Sequence, residues 1–560
     1  MKQDKDLPST VSDVIVVGSG AAGMVTSIMA AQSGLSVTLL EKTAWIGGTT
    51  AFSGGGVWIP RHHHLAALGQ TDSLEQAWQY LSGLSPAALD HDRVLAFLEA
   101  APAAVAWLEA HTPVRFTSLR IPDYFPDMVG AVPGRTLLSR AYDGASLGDA
   151  LALLRPPLKA FSLFGSMQID QIELPDFWRA MRSTGSLKRV MFRISQYARD
   201  RIMSGRGRHL ANGNALAASL LRAMLDYGVT INTQTPVTSL VTEDGRIAGA
   251  IVAGGHLHRA RRGVILATGG FGASAHWVRE HMPMPQVHVS LSAEGNVGDG
   301  LTMSIAAGGS LDTSASASGI LAPVSTLRDR QGIIRARYPH FGIDRAKPGS
   351  LIVDQRGKRF ANEASPYHQL VETMVANDCA RAWLIGDARF VQRYGMGLAR
   401  PFPFPKRHLV QAGYLHKAHS LGALAQKLDI DPVALEDTVA RFNDAASAGV
   451  DAEFGRGHNR HDRSLGDSSV RPNPNLAPLD RSPFYAIALY PGSVSSTLGA
   501  HSSVNGEVLD AAGRPIAGLY VVGADQQSVF SGLYPSGGGS LGSAITSAYR
   551  SARHLIDQPG

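Results

Sequence analysis

The sequence contains a single cysteine, Cys379, among 560 residues. One thiol excludes a disulfide framework, a thiolate zinc site and a cysteine-ligated iron–sulfur cluster within one chain. There is no C-x-x-C-H stretch, so a covalent c-type haem is also excluded. Low cysteine content is typical of a reducing compartment, and we expect a cytoplasmic protein.

Signal peptides and long apolar runs are also lacking. The first residues, MKQDKDLPST, are polar and mixed in charge, unlike a secretory signal. No uninterrupted apolar stretch is long enough to span a bilayer. The sequence therefore predicts neither export nor a transmembrane anchor.

Basic charge is concentrated in one segment. Residues 179–208 contain nine Arg or Lys and one Asp, whereas the whole chain carries a net charge of only +6. Apolar residues recur there at helical spacing: Leu187, Val190, Met191, Ile194, Ala198 and Ile202. Such a basic amphipathic helix either packs on its own domain or lies peripherally on a membrane interface. No nucleic-acid-binding fold accompanies the charge, so we expect no nucleic-acid partner.

Residues 13–42 have the pattern of a dinucleotide-binding unit. An apolar strand leads into a turn with Gly18, Gly20 and Gly23, followed by a helix of small residues and a second strand that ends at Glu41. G-x-G-x-x-G between strand and helix permits a tight turn, close approach to a pyrophosphate and close helix packing. The helix amino terminus favours the phosphates, and Glu41 is placed to accept from ribose hydroxyls.

Three further stretches favour FAD over NAD: TAWIGGTTAFSGGGVWIP after the second strand, RGVILATGGFG at 262–272, and PIAGLYVVGAD at 515–525. Together they resemble the fumarate reductase/3-ketosteroid dehydrogenase superfamily of FAD enzymes. GGTTAFSGGG contains no histidine, the residue that tethers FAD in some relatives, so the resemblance implies non-covalent FAD. The expected FAD contacts are Gly18, Gly20, Ala22, Gly23, Glu41, Lys42, Gly48, Thr49, Thr50, Ser53, Gly54, Gly55, Val237, Ala267, Thr268, Gly269, Gly523, Asp525, Ser540 and Leu541.

The last segment lacks the residues that a dicarboxylate would need. In SVFSGLYPSGGGSLG there is neither the histidine nor the arginine of the fumarate-reductase type. Its Y-P-x-G-G pattern instead resembles the 3-ketosteroid Δ1-dehydrogenases. By that resemblance, Tyr534 and the Gly538 N–H bind a C3 carbonyl oxygen, Tyr367 in NEASPY removes a C2 proton, and Tyr124 assists that base. Tyr142 lies near enough in sequence to be an alternative to Tyr124.

The chemistry is consistent with these roles. Removing hydrogens from C1 and C2 of a 3-ketone needs two donors on the oxygen, a base, and a hydride acceptor on the other face. A tyrosine base must be partly ionised, and a neighbouring phenol is expected to lower its pKa. The glycines that follow Tyr534 are expected to open a helix whose positive end faces the flavin.

The resemblance implies FAD-dependent 1,2-dehydrogenation of 3-ketosteroids, with C1 hydride passing to flavin N5. No second nucleotide fold is visible, so electrons are expected to leave to a quinone-like external acceptor. The alternatives are a Δ4-(5α)-ketosteroid dehydrogenase, a fumarate-reductase-like ene-reductase on another substrate, and a flavin-binding module without turnover.

The predicted fold class is α/β, with a discontinuous Rossmann-like FAD domain and an α+β catalytic cap. We assign residues 1–145, 206–320 and 490–560 to the FAD domain, 146–205 to an insertion that is a candidate for membrane contact, and 321–489 to the cap. Adjacent histidines seldom point at one ion, so RHHHLA (His62 to His64) is interpreted as a polar loop, and no metal site is predicted.

Overall fold

The structure is a computed structural model that describes residues 9–85, 89–170, 172–180 and 183–558. Residues 1–8 of the predicted FAD domain, and Met181 and Arg182 of the basic segment, lie outside the described residues. The helices among them are Ala21–Gln32, Leu74–Leu84, His91–His111, Leu174–Arg179, Thr184–Ser204, Asn212–Asp226, Ala275–His281, Asp299–Ala306, Tyr367–Ala376, Ala388–Arg393, Arg407–Gln411, Leu421–Leu428, Pro432–Ala448, Arg460–Leu465 and Gly539–Asp557.

A parallel sheet forms the centre of the first part of the fold. Its strands follow the spatial order Thr230–Asn232, Val37–Leu40, Ser9–Val17, Leu257–Leu266 and Pro515–Val521. The antiparallel strands Val237–Glu243, Arg246–Val252 and Glu507–Leu509 extend it. Side chains alternate across the sheet, as a strand requires, and both faces are covered by buried apolar residues.

A second, mostly antiparallel sheet lies largely in the region predicted as the cap. Its order is Ile334–Pro339, Gly319–Arg328, Phe484–Ser496, Ala382–Gly386 and Ser350–Val353, and Val289–Ser290 and His416–Ala418 also pair with the long strand Phe484–Ser496. The smaller sheets contain Gly56–Trp58 with Phe116–Ser118 and Thr136–Ser139, Tyr142–Asp143 with His209–Leu210, Ser162–Leu163 with Met167–Gln168, and Leu311–Asp312 with Gly499–Ala500.

The predicted α/β class is confirmed by this arrangement. Gly319–Arg328 and Phe484–Ser496 pair with each other and run through the positions predicted as boundaries between the FAD domain and the cap. The division into domains stays a prediction.

One described helix, His91–His111, is long and apolar enough by length and composition alone to cross a membrane. Its Val94, Phe97, Leu98 and Val105 are buried in the same apolar cluster as the helices that cover the central sheet. This face packs the helix on the core, and 39% of its most apolar stretch is buried.

Candidate active site

A cavity of about 760 Å³ lies between the central sheet and the cap. Of the residues expected at the site, it is lined by Gly18, Gly20, Ala22, Glu41, Lys42, Gly48, Thr49, Thr50, Ser53, Gly54, Gly55, Tyr124, Val237, Ala267, Thr268, Gly269, Tyr367, Gly523, Tyr534, Gly538, Ser540 and Leu541. Gly23 and Asp525 lie behind its wall. Residues distant in sequence are thus gathered around one space.

The three glycines of the first turn have different surroundings. Gly18 has φ +105°, and a Cβ there would lie 2.3 Å from the Ala267 carbonyl oxygen. A Cβ on Gly23 would lie 2.1 Å from the Gly18 oxygen, so Gly23 serves helix packing. A Cβ on Gly20 would meet nothing closer than the Thr50 hydroxyl at 3.9 Å. The open space at Gly20 is where a pyrophosphate would approach the backbone.

Two acidic residues shape this part of the cavity. Glu41 accepts hydrogen bonds from the Ser19 hydroxyl at 2.5 Å and from the Thr43 N–H and hydroxyl at 2.8 Å each, which holds its carboxylate at the end of the second strand. Asp525 is fully buried and accepts from the Thr268 and Gly270 N–H groups. Asp525 therefore acts behind the wall, by fixing the A-T-G-G turn, instead of lining the cavity.

The cavity residues fit FAD. The hydroxyl of Ser496 is buried, lines the cavity and has no hydrogen-bond partner among the described residues. Buried hydroxyls normally find a partner, so this one is available to a polar ligand. With the open space beside Gly20, it supplies what a flavin dinucleotide requires: room for its phosphates and a polar partner elsewhere.

Three tyrosines meet at the cap side of the cavity. The Tyr367 hydroxyl donates to the Tyr534 hydroxyl at 2.8 Å, and the Gly538 N–H donates to the same Tyr534 oxygen at 3.1 Å. The Tyr124 ring lies across both other rings, with centroid separations of 5.8 Å. The Gly538 N–H has one hydrogen, so a ligand oxygen beside Tyr367 would take that hydrogen bond from the Tyr534 oxygen and would also accept from the Tyr534 hydroxyl.

The glycine run places Tyr534 and Gly538. Gly538 precedes helix Gly539–Asp557 and has φ +98°, and a Cβ there would lie 2.6 Å from the Gly56 carbonyl carbon. The Gly538 carbonyl accepts from the Trp58 N–H at 3.0 Å. A bare backbone is required because the helix start is pressed against strand Gly56–Trp58.

Buried ions and hydrogen bonds place Tyr367. It opens helix Tyr367–Ala376 directly after Pro366. Four residues earlier, the fully buried Glu363 pairs with Arg359 at 2.8 Å and with Arg456 at 3.2 Å. The N-E-x-x-P-Y pattern thus combines an anchor, Glu363, with the tyrosine that the anchor positions.

A second buried network holds the loop of Tyr124. Asp123 accepts from the Trp58 indole at 2.8 Å and pairs with Arg135 at 3.0 Å, and Arg135 also pairs with Asp72 at 2.6 Å. The alternative, Tyr142, does not line the cavity, and its hydroxyl accepts from Ser146 at 2.7 Å. Of the two tyrosines, the structure brings Tyr124 to the cluster.

The ionisation of the cluster differs from the expectation. Burial raises the pKa of Tyr367 and of Tyr124 well above the usual phenol value, and it raises that of Tyr534 too. For Tyr367, the closeness of the other two phenols raises the pKa further. The neighbouring phenols thus raise the pKa of Tyr367 here, opposite to the expectation, because Tyr367 donates its hydrogen to Tyr534 and would lose that bond on ionisation.

Two residues that the sequence did not single out act on Tyr124, Arg345 through its charge and His461 through a ring contact. Arg345 is fully buried, its charge lowers the pKa of Tyr124, and its Nη2 has no hydrogen-bond partner among the described residues. His461 lines the cavity and packs edge-on against the Tyr124 ring at 5.1 Å. Neither lies in a pattern that marks it in sequence, since each is far from Tyr124 along the chain.

The histidine triplet also has a partner that the sequence did not reveal. The Nε2 atoms of His63 and His64 lie 3.0 and 2.9 Å from one carboxylate oxygen of Glu109. His62 is turned away and meets the Gly134 carbonyl at 2.9 Å. Asp170, Glu173 and His209 form a second group of ligand-type side chains. The absence of a metal stays a prediction.

The sequence profile of the family described as "FAD binding domain" matches residues 13–541. The chain belongs to this family. It is 37% identical to a 4-oxocyclohex-2-ene-1-carboxylate 5-dehydrogenase of Sinomonas cyclohexanicum, over 99% of this chain and 95% of that relative. It is 34% identical to a 3-oxosteroid 1-dehydrogenase of Mycobacterium tuberculosis, over 98% and 99% of the two chains.

A solved structure agrees over the same length. The 3-ketosteroid Δ1-dehydrogenase of Sterolibacterium denitrificans, in complex with 1,4-androstadiene-3,17-dione, superposes with a TM-score of 0.90 at 34% identity, over 98% of this chain and 99% of that one. The resemblance inferred from Y-P-x-G-G and N-E-x-x-P-Y is thereby confirmed. The protein is an FAD-dependent dehydrogenase that acts on CH–CH bonds.

Proposed function

We propose that this protein catalyses the 1,2-dehydrogenation of 3-ketosteroids. The proposal rests on three neighbouring atoms: the Tyr534 oxygen lies 2.8 Å from the Tyr367 oxygen and 3.1 Å from the Gly538 nitrogen. The two hydrogen-bond donors suit a ketone oxygen, and the phenol beside them suits removal of a proton from the carbon next to the ketone. The relatives named as 3-oxosteroid dehydrogenases support the steroid as substrate.

In this mechanism, the Tyr534 hydroxyl and the Gly538 N–H both donate to the C3 carbonyl oxygen. They stabilise the negative charge that develops there as Tyr367, in its ionised form, takes a proton from C2. The electron pair of that C–H bond forms the C1–C2 double bond while hydride leaves C1. FAD, when bound, supplies the hydride acceptor. Burial of the tyrosines excludes water and strengthens the hydrogen bonds to the oxygen.

Arg345 and His461 would assist through Tyr124. The Arg345 guanidinium favours a phenolate at Tyr124, and a hydrogen bond between Tyr124 and Tyr367 would couple the two phenols. His461 covers the outer side of the Tyr124 ring. Tyr124 therefore positions the base, Tyr367, and offers a route by which the proton that Tyr367 has taken up can leave.

A second substrate class has its own support. The cavity is also lined by Arg120, Lys347 and His461, which an apolar steroid does not require. Burial lowers the pKa of Lys347 to about 8. A relative at 37% identity is named for a 4-oxocyclohexene carboxylate, whose ketone would take the same two donors while its carboxylate meets a cation.

A substrate panel with an artificial electron acceptor tests the proposal. Turnover of 4-androstene-3,17-dione to the 1,4-diene supports it, and turnover of 4-oxocyclohex-2-ene-1-carboxylate alone would replace the steroid by the acid. Product position by NMR separates 1,2-dehydrogenation from the Δ4-(5α) reaction and from ene reduction. No turnover of any ketone would refute the proposal.

We also propose that FAD is bound without a covalent link and that electrons leave to a quinone-like acceptor. His461 is the one histidine lining the cavity in the described part of the chain, and it lies against Tyr124. Acid precipitation should leave the flavin in the supernatant, and a yellow pellet would contradict this. Menadione should reoxidise the reduced enzyme faster than NAD does.

A further inference from the structure

The long helix of the insertion, Thr184–Ser204, packs through only part of the apolar stripe that its sequence predicts. Val190 of the stripe is buried and Ile194 is half-buried, whereas Leu187, Met191, Ala198 and Ile202 are exposed. The other buried residues of the helix are Ser186, Tyr197 and Asp200. Most of a stripe that would normally pack a helix on its own domain is therefore exposed.

The outer face of this helix is both apolar and basic. Its large apolar side chains are 41–87% exposed: Leu187, Met191, Phe192, Ile202 and Met203. Lys188 and Arg199 are exposed among them. The helix has one acidic residue, Asp200, which is buried; its carboxylate lies 3.7 Å from the Arg199 guanidinium, and no carboxylate of the helix is exposed on the outer face. Large exposed apolar patches mark interaction sites.

The same insertion contributes to the cavity that contains the tyrosine cluster. Leu158, Phe161, Leu174 and Pro175 line that cavity and are half-buried, which places them at its rim. Leu174 and Pro175 begin a short helix that is tied to the long one. Asp176 of the short helix accepts from Arg189 at 2.5 Å. The outer face and one edge of the cavity therefore belong to one connected unit.

We propose that the outer face, Leu187, Lys188, Met191, Phe192, Arg199, Ile202 and Met203, docks on an anionic lipid membrane. Apolar side chains at this spacing enter the boundary between headgroups and acyl chains, and flanking cations meet anionic headgroups. The inner surface of the cytoplasmic membrane has that charge. An apolar ketone dissolved in lipid would then be close to the cavity rim.

A second copy of the chain fits this face less well. A two-fold dimer brings the same patch against itself, so Lys188 and Arg199 would face their own counterparts. Like charges brought together in this way oppose association. An anionic surface complements both the charge and the apolar side chains.

Vesicle flotation of the full-length, FAD-loaded protein tests the proposal without reference to catalysis. Vesicles of phosphatidylcholine with phosphatidylglycerol should carry the protein upward at about 0.01 M salt, where charges are felt over about 30 Å. Binding should fall at about 1 M salt, where that range is about 3 Å. Pure phosphatidylcholine vesicles should retain much less protein.

Two variants isolate the two properties of the face. Replacing Lys188 and Arg199 by Glu should weaken binding to anionic vesicles by about 25-fold or more, because each cation contributes about fivefold. The variant Met191→Ser, Phe192→Ser, Ile202→Ser should lose most of the bound fraction even at low salt.

Matched controls change exposed residues elsewhere. Val433 and Val450 are 64% and 65% exposed on or beside a cap helix, and their replacement by Ser should leave flotation unchanged. Lys358→Glu is the control for charge reversal. Unchanged flavin content shows that each variant is folded.

Three outcomes would overturn the proposal. Failure of the wild-type protein to float with anionic vesicles at any salt concentration would show that it has no lipid-binding face. Equal flotation of the wild type and the outer-face variants would place binding elsewhere. Light scattering that shows a dimer abolished by the apolar variant, without flotation, would make this face an interface between copies. Activity in detergent-free solution has no bearing on any of these results.

Discussion

Tyr534→Phe is the perturbation that most sharply separates the proposed chemistry from packing. The substitution removes one oxygen and keeps the ring, which lies against Gly539 and the other two tyrosine rings. That oxygen accepts from Tyr367 and from the Gly538 N–H. The fold should therefore change little, while the ketone oxygen loses one of its two donors.

The expected loss follows from the role of the donor. Removing one donor of an oxyanion site costs about 10²–10³ in rate, or about 2.7–4 kcal/mol of transition-state stabilisation. The Gly538 N–H remains and preserves part of the effect. Affinity for the ground-state ketone should fall less than the rate, because the negative charge develops only in the transition state.

The assay is anaerobic single-turnover reduction of the flavin, which isolates the chemical step from reoxidation. Tyr549→Phe is the matched control: Tyr549 is buried on the helix that follows Tyr534, does not line the cavity, and accepts from Arg553 at 3.3 Å. The control should retain nearly the full rate. A Tyr534→Phe rate within about threefold of wild type would refute the donor role, since the predicted loss is about 10²–10³.

Three further predictions concern the base, the anchor and the cofactor turn. Because burial raises the pKa of Tyr367, kcat/KM should climb with pH through the neutral and alkaline range as the ionised fraction grows, and a flat pH profile would contradict this base. Breaking the buried pairs of Glu363 with Arg359 and Arg456 by Glu363→Gln should lower the free energy of unfolding by about 3–5 kcal/mol. The pKa of Glu363 is lowered in the folded protein, so the stability that Glu363 contributes is present above the pKa of an unfolded carboxyl group and is lost as pH falls through the folded pKa. Denaturation curves at several pH values measure this loss. If the variant lost stability in acid as steeply as the wild type, the role of Glu363 would be contradicted. Gly18→Ala places a Cβ against a backbone carbonyl at a left-handed φ, so the purified variant should lack flavin absorbance, and a full flavin content would contradict the close fit of this turn.

Local patterns predicted much of the cofactor cavity. The roles of Gly18 and Gly23 depend on a strand, a turn and a helix that are consecutive in sequence, and the geometry agrees with them. Tyr534 and Gly538 are four residues apart, so their adjacency also follows from one turn at a helix start. In both places, the constraint lies within a few residues.

Contacts between distant segments were beyond the sequence patterns. Asp525 was expected at the cofactor, yet its burial behind the Thr268 turn depends on how two strands of the central sheet pair. The charge of Arg345 acts on Tyr124 although more than two hundred residues of chain separate them, and no spacing rule connects them. The pKa of Tyr367 depends on its final burial, which the motif does not contain.

The face on which the insertion helix packs was only partly predictable. The sequence showed an apolar stripe, and a stripe normally marks the side that is buried. The helix buries Val190 of that stripe, but it also buries Tyr197 and Asp200, because Tyr197 donates to the Phe164 carbonyl and Asp200 accepts from the Arg208 N–H. Polar contacts with neighbouring loops thus set its orientation.

Anaerobic mixing of the enzyme with 4-androstene-3,17-dione, followed by NMR of the product, tests the central claim most directly. The account predicts that the flavin is bleached in one turnover and that an equal amount of the 1,4-diene is formed. A flavin that stays oxidised, both with this steroid and with 4-oxocyclohex-2-ene-1-carboxylate, would contradict the assignment of Tyr534, Gly538 and Tyr367 to ketone dehydrogenation.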